Sequence, residues 1–237
     1  MLLDGDITFI NEEFYADTVT PAQLDTLLAD GWRHFGTNFF RYSLGVYEFD
    51  IRLVVPLRIR LSQFSLSKSQ RRVLRDNADV QVNIRPTEIT DESVALFERH
   101  KTRFRSGVPD SIYDFLSDDP GRVPCEGREV SVRLDGRLVA ASYFDIGETA
   151  VSAIYGMFDP DLAGRSLGIF TMLTEIEFAT DAGKELYYQG YSYEGPSFYD
   201  YKKRFRGTES FDWKGNWKPF RASEELTTDN TDDADKS

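Results

Sequence analysis

The stretch EVSVRLDGRLVAASYFDIGETAVSAIYGMFDPDLAGRSLGIFTMLTEIEFATDAGKELYYQGY, residues 129–191, decides the fold. Glu129 to Leu134, Arg137 to Asp145 and Ala150 to Phe158 are runs rich in β-branched and aromatic residues, and the first two are joined by Asp135-Gly136, the dipeptide of a tight hairpin turn. They predict an antiparallel meander. From Ser166 to Thr180 the apolar residues Leu167, Ile169, Phe170, Leu173, Ile176 and Phe178 recur at helical spacing, and Leu186 to Tyr191 returns to a strand. A meander, a loop, a helix and a further strand imply an α/β (α+β) domain with a mixed central sheet flanked by helices.

Upstream, Thr20-Pro21 opens a helix that Gly31 stops, with Leu24, Leu27 and Leu28 on one face. Arg33 to Arg41 and Tyr47 to Arg60 read as strands, the second placing Arg58 and Arg60 on the face opposite Leu53, Val55, Leu57 and Ile59. Ser67 to Asn77 is a basic helix, Val80 to Ile84 a short strand, and Thr90-Asp91-Glu92 starts a helix running to about Arg105. Ser111 to Leu116 is a short helical turn. The expected organisation is a short N-terminal α/β module over 1–62, a main domain over 63–221 and an acidic tail over 222–237.

The 237 residues are 41% apolar and 14% aromatic, enough for a substantial core. A net charge of −12 argues against coating nucleic acid or anionic lipid over the whole surface. In the tail, six acids (Glu224, Glu225, Asp229, Asp232, Asp233 and Asp235) against Lys236 give −5, which leaves −7 on the rest, and so polar a segment is expected to be disordered. Cys125 is the single cysteine, and His34 and His100 are the two histidines, so an internal disulfide and a Cys/His metal cluster are not expected. Asp4 and Asp6 stand where a signal peptide needs positive charge, and no apolar run is long enough to span a bilayer. A soluble cytoplasmic protein is expected.

Basic residues concentrate in three segments: Arg71, Arg72 and Arg75; Arg99, Lys101, Arg103 and Arg105; and Lys202, Lys203, Arg204 and Arg206. Each is either a solvated helix face or a track for a phosphate backbone, and three such segments in an acidic chain suggest a confined polyanion site. The loop Asp159 to Gly168, with Gly164, Arg165 and Gly168, is either a strand-to-helix turn that needs glycine or a cradle for donor phosphates at a helix N-terminus. Tyr187, Tyr188, Tyr191, Tyr193, Phe198, Tyr199, Tyr201 and Phe205 form a dense aromatic segment that serves either as core or as a stacking surface. His34 and His100 carry no partner pattern, and packing or surface placement is expected for both, while Cys125 is expected to be inert.

Several blocks together resemble the arginyl-tRNA-protein transferase family, including its bacterial leucyl-transferring branch. They are Gly31-Trp32-Arg33-His34-Phe35-Gly36 with Phe39-Phe40-Arg41; Val55-Pro56-Leu57-Arg58-Ile59 leading to the helix Ser67 to Asn77; Phe158-Asp159-Pro160-Asp161 with Ser166-Leu167-Gly168 and Glu175-Ile176-Glu177; and Tyr188-Gln189-Gly190-Tyr191 with Tyr201-Lys202 and Phe205-Arg206. The likeness covers roughly residues 32–220. It implies a GNAT-like acyltransferase fold, an order of elements that residues 129–191 also suggest. It further implies transfer of arginine or leucine from aminoacyl-tRNA to the N-terminal α-amino group of an acceptor protein, marking that protein for degradation, with no cofactor. The chain departs from the family in lacking the cysteines before the Val-Pro segment, where Glu48, Ile51 and Val54 stand, so any metal or cluster function of that module should be absent. It also has Pro196-Ser197-Phe198-Tyr199 where the family shows a Pro-Lys-Met run, which bears on acceptor preference.

An aminoacyl ester is an activated donor, so positioning, removal of a proton from the amine and oxyanion support suffice. Asp159, Glu175 and Tyr201 are the candidate catalytic residues. Backbone N–H groups between Ala153 and Met157, where the strand is expected to splay at Gly156, are candidates for the oxyanion. Arg58, Arg71, Arg72, Arg75 and Arg165 are assigned to tRNA, and Tyr188, Tyr191, Lys202 and Arg206 to the acceptor. The alternatives are an acetyl-CoA-dependent N-acetyltransferase on the same fold and a non-catalytic tRNA- or peptide-binding homologue.

Overall fold

The loops that close this chain's strands choose its pairings. At Asp135-Gly136 both residues take positive φ (51° and 80°), the geometry a two-residue hairpin needs, and β7 (Gly127–Leu134) folds back onto β8 (Arg137–Ile146). β8 pairs in turn with β9 (Ala150–Phe158), so the expected meander is present. The computed structural model describes residues 8–104 and 107–220; the acidic tail and Arg105 lie outside them.

The remaining elements are β1 (Asn11–Tyr15), α1 (Pro21–Ala29), β2 (Arg33–Phe35), β3 (Asn38–Tyr42), β4 (Leu44–Tyr47), β5 (Asp50–Arg60), α2 (Lys68–Asp76), β6 (Gln81–Pro86), α3 (Asp91–Lys101), α4 (Leu167–Asp181), β10 (Leu186–Tyr193), β11 (Thr208–Phe211) and β12 (Trp217–Pro219). Nine strands form one sheet in the order β12-β11-β5-β10-β9-β8-β7-β6, with β4 paired to the far end of β5. β9 and β10 run parallel and the other described pairings are antiparallel, which gives the mixed sheet of a GNAT-like fold. A second sheet, β1-β3-β2, stands beside it.

Two expected strands are interrupted. Residues 33–41 split into β2 and β3 because Gly36, at φ 51°, turns the chain, and residues 47–60 begin with a hairpin tip at Glu48 and Phe49, both at positive φ. Neither turn carries an Asn-Gly or Asp-Gly signature, so apolar runs on both sides hid them. Capping was legible: Ser67 and Gln70 close a capping box on α2, and Thr90 and Ser93 do so on α3.

α4 covers one face of the sheet, burying Leu167, Phe170, Leu173 and Ile176 against Val130, Val132, Phe144, Val151 and Tyr187. On the other face α3 brings Leu96 and Phe97 to Tyr143 and Met157, and α1 with β3 packs Leu24, Leu28 and Phe39 against Ala150 and Tyr188. Adjacent tyrosines of β10 thus enter opposite cores, as period-2 alternation requires. Among the described residues no helix is long and apolar enough to cross a membrane.

Arg58 sits in the middle of the sheet, 8% exposed, and donates to Glu209 at 2.7 Å and to the Tyr188 hydroxyl at 3.2 Å, with its guanidinium 4.3 Å from the Trp217 ring centroid. Arg60 donates to the same Glu209 at 3.0 Å. Replacing Glu209 with Ala leaves two guanidinium groups without their shared carboxylate, one of them buried. The expected cost is about 3 kcal/mol in urea unfolding. A loss under about 1 kcal/mol would show that these charges reach water instead.

Candidate active site

β9 and β10 stay together for three residues only: Leu186, Tyr187 and Tyr188 face Ala150, Val151 and Ser152. Beyond Ser152 they separate. β10 changes register on its β5 side between Tyr188 and Gly190, and Gly190 takes φ 87°, a conformation that favours glycine. The result is a V-shaped notch in the centre of the sheet, and the β9 segment 153–157 lines one wall with no strand beside it on the β10 side. The strands part just after Ser152, four residues before Gly156, the position expected for the splay.

The notch is filled from outside the two strands. Arg33 enters from β2 and donates to the Ser152 hydroxyl at 3.0 Å. Its guanidinium lies flat against Gly190, where an added Cβ would meet Cζ at 3.2 Å, so the glycine also provides the close approach. Arg33 is 7% exposed, and among the described residues it forms no ion pair with a carboxylate and no other hydrogen bond through its side chain. Burial lowers its proton affinity, opposed by the neighbouring Tyr191 and Asp145.

Glu175 projects from the middle of α4 and accepts a 2.5 Å hydrogen bond from the Tyr187 hydroxyl, with both side chains fully buried. Burial pushes the Glu175 carboxyl up to about 7, although the Tyr187 hydrogen bond and the Arg33 charge pull the other way. Lys202, on the 3-10 turn Phe198–Arg204 that follows β10, donates to the Tyr191 carbonyl at 3.1 Å and lies 5.1 Å from the Tyr199 ring centroid. Burial, with Arg33 nearby, lowers it to about 7. Tyr201 is held in its protonated form by burial and by Tyr199 and Glu175. Arg103 completes the wall with its guanidinium 4.2 Å from the Phe158 ring centroid and 5.8 Å from that of Phe198, again without a carboxylate partner among the described residues.

Glu175, Tyr201 and Lys202 therefore gather around one notch. The other candidates divide. Asp159 is 1% exposed, bound by Arg137 at 2.5 Å and Arg99 at 3.7 Å, and it accepts from Asp161 N–H in the turn that follows. Arg58 lies inside the sheet, paired with Glu209 and 8% exposed. Tyr188 faces the α1 core on the other side of the sheet, where Arg58 and Trp217 hold it, and so is not placed to touch an acceptor in the notch. Tyr191 is a wall residue whose hydroxyl donates to the Gly31 carbonyl at 2.6 Å. Arg206 is exposed and donates to Ser65 at 3.1 Å.

On the outer side, Lys68, Arg71, Arg72 and Arg75 are exposed along α2. Asn77 fastens this helix to the loop before α4 by donating to the Arg165 carbonyl at 2.9 Å, and Arg165 itself grips Asp79 through two hydrogen bonds at 2.7 and 2.9 Å. The α2 arginines thus remain available to a polyanion, while Arg165 is occupied in holding the loop.

Both histidines are internal. Phe158 N–H donates to His100 Nδ1 at 3.0 Å, and burial keeps His100 neutral by lowering it to about 4. His34 stacks on Phe39 and bonds Asp145 through Nε2 at 2.7 Å. The Cys125 thiol joins this pair, the potential ligand atoms of the three lying within 4.8 Å of one another. Burial and Asp145 push the thiol far above its usual range, so it is not a nucleophile. Arg33 was missed as a site residue; the available signal was a single arginine beside apolar and aromatic neighbours that bury it.

The likeness to known proteins agrees with this geometry. Residues 92–212 match the family model described as arginine-tRNA-protein transferase, C terminus. An aspartate/glutamate leucyltransferase of Xanthomonas campestris pv. campestris is 33% identical over 175 residues, covering 69% of each chain. One from Stenotrophomonas maltophilia is 34% identical over 178 residues, covering 70% of this chain and 69% of the relative. Among solved structures, FemX superposes with a TM-score of 0.51 at 12% identity, covering 84% of this chain and 69% of that one, which speaks for the fold alone. Sequence and fold converge on one assignment: the chain belongs to the arginine-tRNA-protein transferase family, aminoacyltransferases built on a GNAT-like fold.

Proposed function

We propose that this protein transfers leucine from leucyl-tRNA to the α-amino group of an acceptor whose first residue is aspartate or glutamate. The choice of leucine and of acidic acceptors follows the relatives, which carry that activity in their names. The observation that carries the reading is the notch between β9 and β10, where a carboxyl and an amine that both titrate near 7 stand beside a buried guanidinium.

In the reaction the acceptor nitrogen attacks the ester carbonyl, a C–N bond forms, the C–O bond to the terminal ribose breaks, and the proton lost by nitrogen is replaced by one delivered to the ribose oxygen. An N-terminal amine has a pKa of about 8, so a group titrating near 7 is matched to accept its proton at neutral pH. Glu175 takes this role, with Tyr187 holding the carboxyl in place. The raised pKa of Tyr201 suits it to donate to the leaving oxygen and not to act as a base. Backbone N–H groups on the unpaired side of β9 beyond Ser152 support the oxyanion. Exposed arginines on α2 hold the tRNA backbone, and Lys202 lines the acceptor side.

Because Glu175 must be ionised to act, kcat/KM, which reports the free enzyme, should rise with pH through about 7. Glu175→Gln should lower kcat about 100-fold at pH 8 and remove that inflection. A variant that keeps the wild-type pH profile would take the proton-acceptor role from Glu175.

Arg71→Ala combined with Arg72→Ala should weaken binding of leucyl-tRNA and reduce the slope of log K against log salt by about 2, one for each phosphate that no longer has a cation beside it. Single-turnover transfer at saturating tRNA should be unchanged. An unaltered salt slope would place the tRNA backbone elsewhere.

A further inference from the structure

Arg33 poses a physical problem that the fold alone does not solve. Removing a guanidinium from water costs several kcal/mol unless charge and hydrogen bonds replace the solvent. The protein supplies one hydroxyl, that of Ser152, to a group with five N–H donors. Two other cations, Lys202 and Arg103, stand around the same notch without carboxylate partners among the described residues, and the two carboxyls near it are engaged elsewhere, Glu175 with the Tyr187 hydroxyl and Asp145 with His34. The arrangement differs from that of Arg58, which is equally buried but shares Glu209 with Arg60. In one place the chain provides the anion, and in the other it provides none within hydrogen-bond reach among the described residues.

We propose that Arg33, at the apex where β9 and β10 part, receives the side-chain carboxylate of the acceptor's first residue, with Lys202 flanking it. The proposal rests on the transferase reading above and names the element that selects the acceptor. A guanidinium fixed against Gly190 presents a planar fork that a carboxylate fills through two parallel hydrogen bonds. The unpaired segment of β9 assigned to the acyl group begins one residue beyond Ser152, which Arg33 holds, so a carboxylate on Arg33 and the donor carbonyl would share one notch. A tRNA phosphodiester fits this end poorly, since its chain continues on both sides and the apex is closed by the pairing of Tyr188 with Ser152. An acceptor with a neutral first residue leaves the guanidinium unpaired, which is the strongest basis for rejection that a polar site has.

The test measures equilibrium binding of fluorescent peptides that differ only in the first residue (Asp, Glu, Asn or Ala) to the full-length protein and to Arg33→Met and Arg33→Lys, and does not depend on transfer. Wild-type protein should bind the Asp and Glu peptides at least about 100-fold more tightly than the others. Arg33→Met should abolish that preference while leaving leucyl-tRNA affinity intact, and Arg33→Lys should restore part of it. Arg33→Met should not lower the melting temperature, because a buried charge without a partner is being removed. Equal affinity for all four peptides, a preference that survives in Arg33→Met, or weakened tRNA binding in that variant would each overturn the assignment. Transfer is scored separately: failure to move leucine to any peptide would sink the transferase reading while the binding preference still decides the role of Arg33.

Discussion

The parting of two parallel strands after three residues is the constraint on which the site depends. Within a sheet, every N–H and C=O group left without a neighbour must find another partner, and the centre of a nine-stranded sheet is the least forgiving place to open a gap. Here the gap is bounded on three sides. The register change of β10 before Gly190 turns its backbone away from β9, β5 continues to pair with it on the far side, and Arg33 with the turn Phe198–Arg204 occupies the space between. The N-terminal segment is thus integral to the site: β5 lies inside the large sheet and β2 supplies the residue at the apex.

Charge is distributed to match. The protein is strongly acidic overall, yet the cations on and around its sheet divide into those that the chain neutralises and those that it does not. Arg58 and Arg60 share Glu209, and Arg137 and Arg99 share Asp159. Arg33, Arg103 and Lys202 surround the notch with no such partner among the described residues. An acidic exterior repels polyanions at long range, where the Debye length of about 8 Å limits its reach, while the exposed arginines of α2 give a tRNA one face on which to settle. Net charge alone argued against nucleic acid; its placement permits one defined contact.

Much of the fold was legible because the signals were local. The Asp135-Gly136 turn, the capping residues Ser67 and Thr90 and the helical spacing of Leu167, Phe170 and Leu173 each act over a few residues, and each element they mark is present. For the candidate site, the surroundings of a residue were legible where its immediate neighbours decide burial, as for Glu175 in the middle of an apolar helix face. What escaped depended on partners far along the chain. Arg58 meets Glu209 across 151 positions and Arg33 meets Ser152 across 119, and no periodicity in the sequence announces either pairing. Asp159 read as a free carboxylate beside a donor loop because Arg137 and Arg99, which neutralise it, stand in two other elements.

In the proposed roles of Arg33 and Glu175, specificity and proton transfer are coupled through the same guanidinium. The positive charge of Arg33 lowers the proton affinity of both Glu175 and Lys202, opposing burial in the first case and adding to it in the second. A carboxylate bound to Arg33 cancels most of that field, so the affinities of both groups for a proton rise when the place is filled. For Glu175 a rise from near 7 brings it closer to the value of the attacking amine, which makes it a stronger base toward that amine at the moment an acidic acceptor is seated. A neutral first residue leaves the field in place and Glu175 a weaker base. The acidic side chain therefore contributes twice, once by holding the acceptor and once by adjusting the group that accepts its proton, and discrimination in the rate should exceed discrimination in binding.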